Sequence, residues 1–187
     1  MRTLLAVHVL LILSALWTSA HAQETPEMPE MPRPTAQHQW LQKLAGDWDT
    51  SFTIHMPGQP PMTNKGTAVF RPIGGFWIIS ELHGEMMGAP FQGVQTLGFS
   101  AEKQEFIGTW VDSMSDYQWN YRGQLNDDRT SLTLLCAGPC PLRPGELSQF
   151  KEVLEVKGKD QLTFTSSVQD EDGEWATGVV IEYRRKK

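Results

Sequence analysis

From Gly46 to the C-terminus, short runs of alternating apolar and polar residues follow one another, separated by turn formers and uninterrupted by any long helical segment. Period two is the mark of strands with one buried and one wet face. Trp48, Thr50, Phe52, Ile54 and Met56 make the first such run. Further strands are expected over Met62–Phe70, Phe76–Met86, Phe91–Phe99, Glu105–Ser113, Tyr117–Leu125, Ser131–Cys136, Leu147–Val156, Gln161–Val168 and Trp175–Arg185. Between them lie segments such as "RPIGG", "SAEKQ", "NDDRT", "KGKD" and "DEDGE", all rich in turn residues. Without crossover helices these strands pair antiparallel. A meander of about ten strands removes both of its edges by closing on itself, so the expected fold is all-β, an antiparallel up-and-down barrel.

The N-terminus has a different character. "MRTLLAVHVLLILSALWTSAHAQ" places Arg2 before an apolar run from Leu4 to Trp17 and the small-residue pattern Ala20-His21-Ala22. This reads as a signal peptide over residues 1–22, cleaved after Ala22, which predicts a periplasmic or secreted protein. The run is shorter than the ~18–20 residues that span a bilayer, so no stable membrane anchor is expected after cleavage. A Pro-rich leader over residues 23–37 is expected to be disordered and to precede a single domain over 38–187. From Ala36, "AQHQWLQKLAG" spaces Trp40, Leu41 and Leu44 as a short helix that stops at Gly46.

Charge narrows the partners. Removing residues 1–22 takes away Arg2 alone and moves the formal net charge from −6 to −7. A mildly acidic surface argues against nucleic acid, which needs clustered Lys and Arg. The one basic run, Arg184-Arg185-Lys186-Lys187, reads as a solvated terminus. The two cysteines, Cys136 and Cys140, read as a disulfide closing a small turn in an oxidising compartment. As a redox pair they lack the two-residue spacing and the helix N-terminus that lower a thiol pKa.

The polar residues among the aromatics are the candidates for function. In "IGTWVDSMSDYQWNYRG", Phe106, Gly108, Trp110 and Asp112 share one strand face, and Tyr117, Trp119 and Tyr121 share another. On the preceding segment the face of Trp77 continues through Ile79, Glu81, His83 and Glu85. Trp48, Phe52, Trp77, Trp110, Tyr117, Trp119, Tyr121, Phe164, Trp175 and Tyr183 are expected to point to a common interior. Two readings follow. In one they fill a solid core, Glu81 pairs with an arginine such as Arg71, and Asp112 caps the Ser113–Asp116 turn. In the other, Trp77, Glu81, His83, Trp110, Asp112, Trp119 and Tyr121 bind a small amphipathic or apolar ligand, the polar groups orienting its head. The second is the expected function, and a structural or protein-interaction domain is the alternative. Glu81, His83 and Glu85 have metal-ligand chemistry, but three ligands from one strand rarely converge, so no metal is expected. His55 and His83 are the histidines on expected strands, and haem is not expected either. No cofactor is expected. Nucleophile-elbow, zincin and phosphate-loop motifs are absent from the sequence, which leaves a Glu81/Asp112 acid–base pair as the enzymatic alternative.

The segments "HQWLQKLAGDWDTSF", "FRPIGGFWIISELHGEM", "TLGFSAEKQEFIGTWVDSM" and "DGEWATGVVIEYRRK" together resemble the bacterial domain-of-unknown-function family numbered 1579, from about His38 to Lys187. That resemblance implies no activity. At the level of fold, Gly46-Asp47-Trp48 after a short helix is similar to the Gly-x-Trp signature of calycins, the lipocalin-like barrels. The resemblance implies that an arginine of the last strand, Arg184 or Arg185, stacks on Trp48 and plugs one end. The leading segment generates its own test. Mass spectrometry of the mature chain should find Gln23, free or cyclised, at the N-terminus, and an intact Met1 would refute export.

Overall fold

The period-two runs become ten strands. In the computed structural model, which describes residues 30–187, a seven-residue helix α1 (Ala36–Gln42) precedes β1 (Gly46–Ile54), β2 (Met62–Ile73), β3 (Trp77–Met86), β4 (Ala89–Ser100) and β5 (Glu105–Asp112). These continue into β6 (Trp119–Leu125), β7 (Ser131–Cys140), β8 (Arg143–Gly158), β9 (Gln161–Gln169) and β10 (Trp175–Arg185). Each strand pairs antiparallel with its neighbour in sequence, and β1 pairs with β10, so the sheet is a closed barrel. The expected signal peptide at 1–22, and residues 23–29 of the expected leader, lie outside the described residues. Residues 33–187 form one compact unit.

Closure is sealed at one end by the helix and by β10. Trp48 is fully buried, and its indole N–H donates to the Leu44 carbonyl at 3.1 Å. Of the two candidate arginines it is Arg185 that covers it, with the guanidinium carbon 4.1 Å from the ring centroid; Arg184 points outward and is exposed. The Arg185 guanidinium donates to the carbonyls of Ala45 at 2.6 Å and Lys43 at 3.2 Å, and so ties the last strand to the end of the helix. Gly46 sits between them at φ +134°, where a Cβ would collide with the Arg185 guanidinium, so that position admits glycine alone without rearrangement.

A helix of seven residues has little stability of its own. Its hold on the barrel comes from long-range bonds at the same end. His38 is buried; its Nδ1 accepts from the Thr35 N–H at 3.0 Å, and its Nε2 donates to the Phe99 carbonyl at 3.0 Å, which fixes the orientation of the ring. Trp40 donates to the Arg129 carbonyl at 2.8 Å, and Arg129 in return donates to the Ala36 carbonyl at 2.6 Å. Trp40, Leu41 and Leu44 are buried with Trp48 and Phe106 in the core that fills this half of the barrel.

Two expectations are corrected here. Cys136 and Cys140 are both free and buried. Instead of flanking a turn they lie on one strand, since β7 runs through Cys140 and the chain reverses only at Pro141-Leu142. Four residues of extended chain span roughly 13 Å, about twice the reach of a disulfide. Trp175 lies on the outside, where the Lys151 ammonium is 4.5 Å from its ring. The cause is a bulge between Thr177 and Val179, which reverses the facing of everything before it while leaving Ile181 and Tyr183 inward.

The closed end should therefore dominate stability. Trp48→Ala is expected to cost roughly 3–5 kcal/mol from lost packing. Arg185→Ala should cost about 1–3 kcal/mol through the lost cation–π contact and orphaned carbonyls. Urea unfolding reads both, and a Trp48 variant as stable as wild type would overturn this account of the plug.

Candidate functional site

The other half of the barrel is not filled. Alternation carries large side chains inward from all ten strands, yet they leave a cavity of about 310 Å³ toward the end that bears the β1–β2, β3–β4, β5–β6, β7–β8 and β9–β10 turns. Its wall is mostly aromatic and aliphatic, with Phe52, Phe91, Trp110, Trp119, Phe150 and Phe164 among its members. Its polar members are Ser80, Gln95, Asp112, Tyr121, Glu152, Ser166 and Tyr183.

Two tryptophans form one side, each seated on a glycine. A Cβ at Gly93 would collide with the Trp110 ring, and one at Gly138 with the Trp119 ring. Trp110 also stacks on Phe91, with centroids 6.3 Å apart and planes inclined by 28°. Asp112 fixes the far side of that ring. Its Oδ2 accepts the Trp110 indole N–H at 2.7 Å, and its Oδ1 accepts the Met114 N–H at 2.8 Å. Asp112 is thus both the device that starts the β5–β6 turn and the clamp that sets Trp110, and each of its oxygens has a partner.

Deeper in the cavity lies a second carboxyl, Glu152 of β8. It is only 5% exposed, which for a carboxyl demands an explanation. Ser166 donates to its Oε1 at 3.1 Å, while Oε2 has no hydrogen-bond partner among the described residues. Burial pushes its carboxyl up to about 8, opposed only by the Ser166 bond, so the side chain is neutral at pH 7. The same burial, reinforced by Glu152, raises the Cys136 thiol to about 12 and lifts the Tyr121 phenol well above its ordinary range. Cys136 is therefore an unreactive thiol. Gln95 lines the cavity with Tyr121, and the two complete the polar strip beside Glu152.

Of the residues singled out in the sequence, Trp110, Asp112, Trp119 and Tyr121 line this cavity. Trp77, Glu81 and His83 do not. They share a face as expected, but it is the outer one, and the inward residues of β3 are Ile78, Ser80 and Leu82. Trp77 lies across Gly98 on the outside, shielding backbone that glycine leaves bare. Glu81 and Asp112 consequently stand on opposite sides of the wall, and the acid–base pair is not formed. His55 is exposed like His83. Among the described residues no cluster of three His, Cys, Asp or Glu side chains has a metal-site arrangement. Glu152 went unread, although "FKEVLEV" shows it: Phe150, Leu154 and Val156 share one parity, and Glu152 sits among them.

The fold and cavity define a class: a ten-stranded calycin-like barrel, plugged at one end and hollow at the other. The chain belongs to the family described as "Protein of unknown function (DUF1579)", which matches residues 33–185. No curated protein matches it in sequence. Among solved structures it is similar to Rv2717c from M. tuberculosis, with a TM-score of 0.63 and 13% identity over 83% of this chain and 100% of that one. It is also similar to the S-type phycobiliprotein lyase CPES from Guillardia theta, with a TM-score of 0.54 and 11% identity over 82% of this chain and 94% of that one. At these identities the likeness is one of fold.

A carboxyl that stays protonated only when folded gives stability a definite pH dependence. The folded chain holds the Glu152 proton up to about pH 8, whereas the unfolded chain releases it near 4.5. Between those values the native state binds the extra proton, so stability falls as pH rises through the window and levels off above it. The loss is on the order of 3–5 kcal/mol. Glu152→Gln should remove that part of the slope between pH 5 and pH 8 in urea unfolding, and an unchanged slope would show that Glu152 is not held neutral.

Proposed function

We propose that the protein is an exported binding module that holds a small, largely apolar ligand with one polar end inside the barrel. The observation that carries this reading is the cavity itself. It has the volume of a small-molecule site, an apolar and aromatic wall, and a few polar groups gathered at one place, which is the usual composition of such sites. A barrel of this size can be filled by side chains, and its plugged half is. The hollow half is lined by equally large residues held back from the centre, two of them by glycine seats and one by the Asp112 clamp. The exported part of this reading fits the same role, since a carrier outside the cytoplasm would meet apolar compounds that water alone does not disperse. It rests on the leading segment Met1–Ala22.

Trp110 and Trp119 form part of the wall, so occupancy should be visible in their fluorescence. A ten-carbon amphipath below its micellar concentration is expected to quench it saturably. Val179→Trp, on the wall in β10, should fill part of the space and weaken binding at least tenfold without unfolding the barrel. Absence of saturable quenching across neutral, cationic and anionic heads would reject the reading in favour of a structural domain.

A further inference from the structure

The polar residues of the cavity select among ligands, and the selection runs by charge. Among the described residues its wall holds two acidic side chains, Asp112 and Glu152, and no Lys, Arg or His. Both oxygens of Asp112 accept bonds from the protein. Glu152 accepts one, from Ser166, and its other oxygen is buried with no partner among the described residues. While the acid is neutral that oxygen is an O–H with no acceptor, and once ionised it is an acceptor with no donor; either way a buried polar atom left open costs stability.

A carboxylate or phosphate head finds no cation here: it can accept the Glu152 proton only while the acid is neutral, and above about pH 8 it meets a like charge. A donor head finds an acceptor in the ionised Glu152, and a cationic donor also has the aromatic rings of Trp110, Trp119, Tyr121 and Phe164 on the wall around it. We infer that the ligand is an amine, an apolar body carrying a protonated primary or secondary nitrogen, whose N–H donates to Glu152 Oε2. This deepens the binding-module reading and rests on it. An ammonium paired with a carboxylate is a charge-assisted bond in a water-poor space, and its apolar body covers the remaining aromatic wall. The neutral acid has to ionise to make that pair, so the ammonium enters, Glu152 loses its proton to solvent, and the ion pair replaces the orphaned acid. The titratable groups facing this carboxyl are Tyr121 from β6 and Cys136 from β7, with Asp112 of β5 and Tyr183 of β10 on the same wall; β1, β2, β3, β4 and β9 present none to the cavity.

The test compares n-decylamine, n-decanol and n-decanoate, identical in chain length, by tryptophan quenching and calorimetry from pH 6 to pH 9. Decylamine should bind at least tenfold more tightly than decanol at pH 8, and decanoate least. Because one proton leaves on binding, decylamine affinity should rise by up to tenfold per unit from pH 6 to pH 7 and flatten above about 8, where Glu152 is already ionised. Decanol affinity should stay level. Glu152→Gln should abolish both the slope and the amine preference while keeping decanol binding. The slope in wild-type protein needs no variant to fold. Decanol or decanoate binding as tightly as decylamine, or an amine preference that survives Glu152→Gln, would overturn the inference while leaving the binding module standing. If none of the three binds, the module reading falls and the inference with it.

Discussion

Pairing of β1 with β10 is the constraint on which everything else depends. With that ladder in place, no strand in the sheet has a free edge, and the inward residues of all ten strands face one axis. The ladder joins Trp48 to Arg185 and Asp49 to Arg184, so the two ends of the domain meet at the same place. A meander gains this contact only after the whole chain is in register, because it joins residues 137 positions apart along the sequence. The Arg185 guanidinium then reinforces the closure by reaching the Lys43 and Ala45 carbonyls, at and just past the end of the short helix. Plug, helix and closing ladder are one structure, in which loss of any part exposes the other two.

That concentration of packing at one end permits looseness at the other. The plugged half buries Trp40, Leu41, Leu44, Trp48 and Phe106 almost completely. The hollow half keeps large side chains apart and tolerates a carboxyl with an unpartnered oxygen, both of which lower stability. Features that a folding domain would lose without harm are commonly found at binding sites, where stability is traded for a defined environment. Glu152 is the clearest instance here, since leucine would pack the same space with no desolvation penalty.

How much of this was legible in the sequence varies by kind of information. Strand number, closure and the Trp48 plug were readable, because period two extends over the whole domain and a single Gly-x-Trp fixes its start. Boundaries at β7 and β8 were not: Gly138 and Pro139 look like a turn, but Gly138 is a seat for Trp119 and Pro139 precedes the β7–β8 bulge. Cys136 and Cys140 were misjudged for the same reason, their separation along the chain being mistaken for a loop when it is a length of strand. Facing was the harder problem. Alternation says which residues share a face but not which face is inside, and the weight of Trp77 suggested the wrong answer for β3. The better guide was its opposite face, since Ile78, Ser80 and Leu82 continue inward without a charge while Glu81, His83 and Glu85 would have placed two carboxylates and an imidazole in the cavity. For Trp175 no pattern sufficed, because a bulge changes parity without changing composition.

The same logic explains why Glu152 matters more than the residues that first drew attention. A charge among charges on a strand is solvated by default, and Glu81 is one. Glu152 stands between Phe150 and Leu154 on a face that is otherwise apolar, and its parity partner across the ladder is Ser166, which supplies the one bond it has among the described residues. Asp112 also faces inward, but it sits at the mouth where backbone N–H groups are available, and Met114 and Trp110 use both of its oxygens. Two inward acids on one wall thus differ in what surrounds them. The one at the rim is satisfied by the chain and orders the site; the one in the interior is left half-satisfied, and its open oxygen is what gives the cavity a chemical preference.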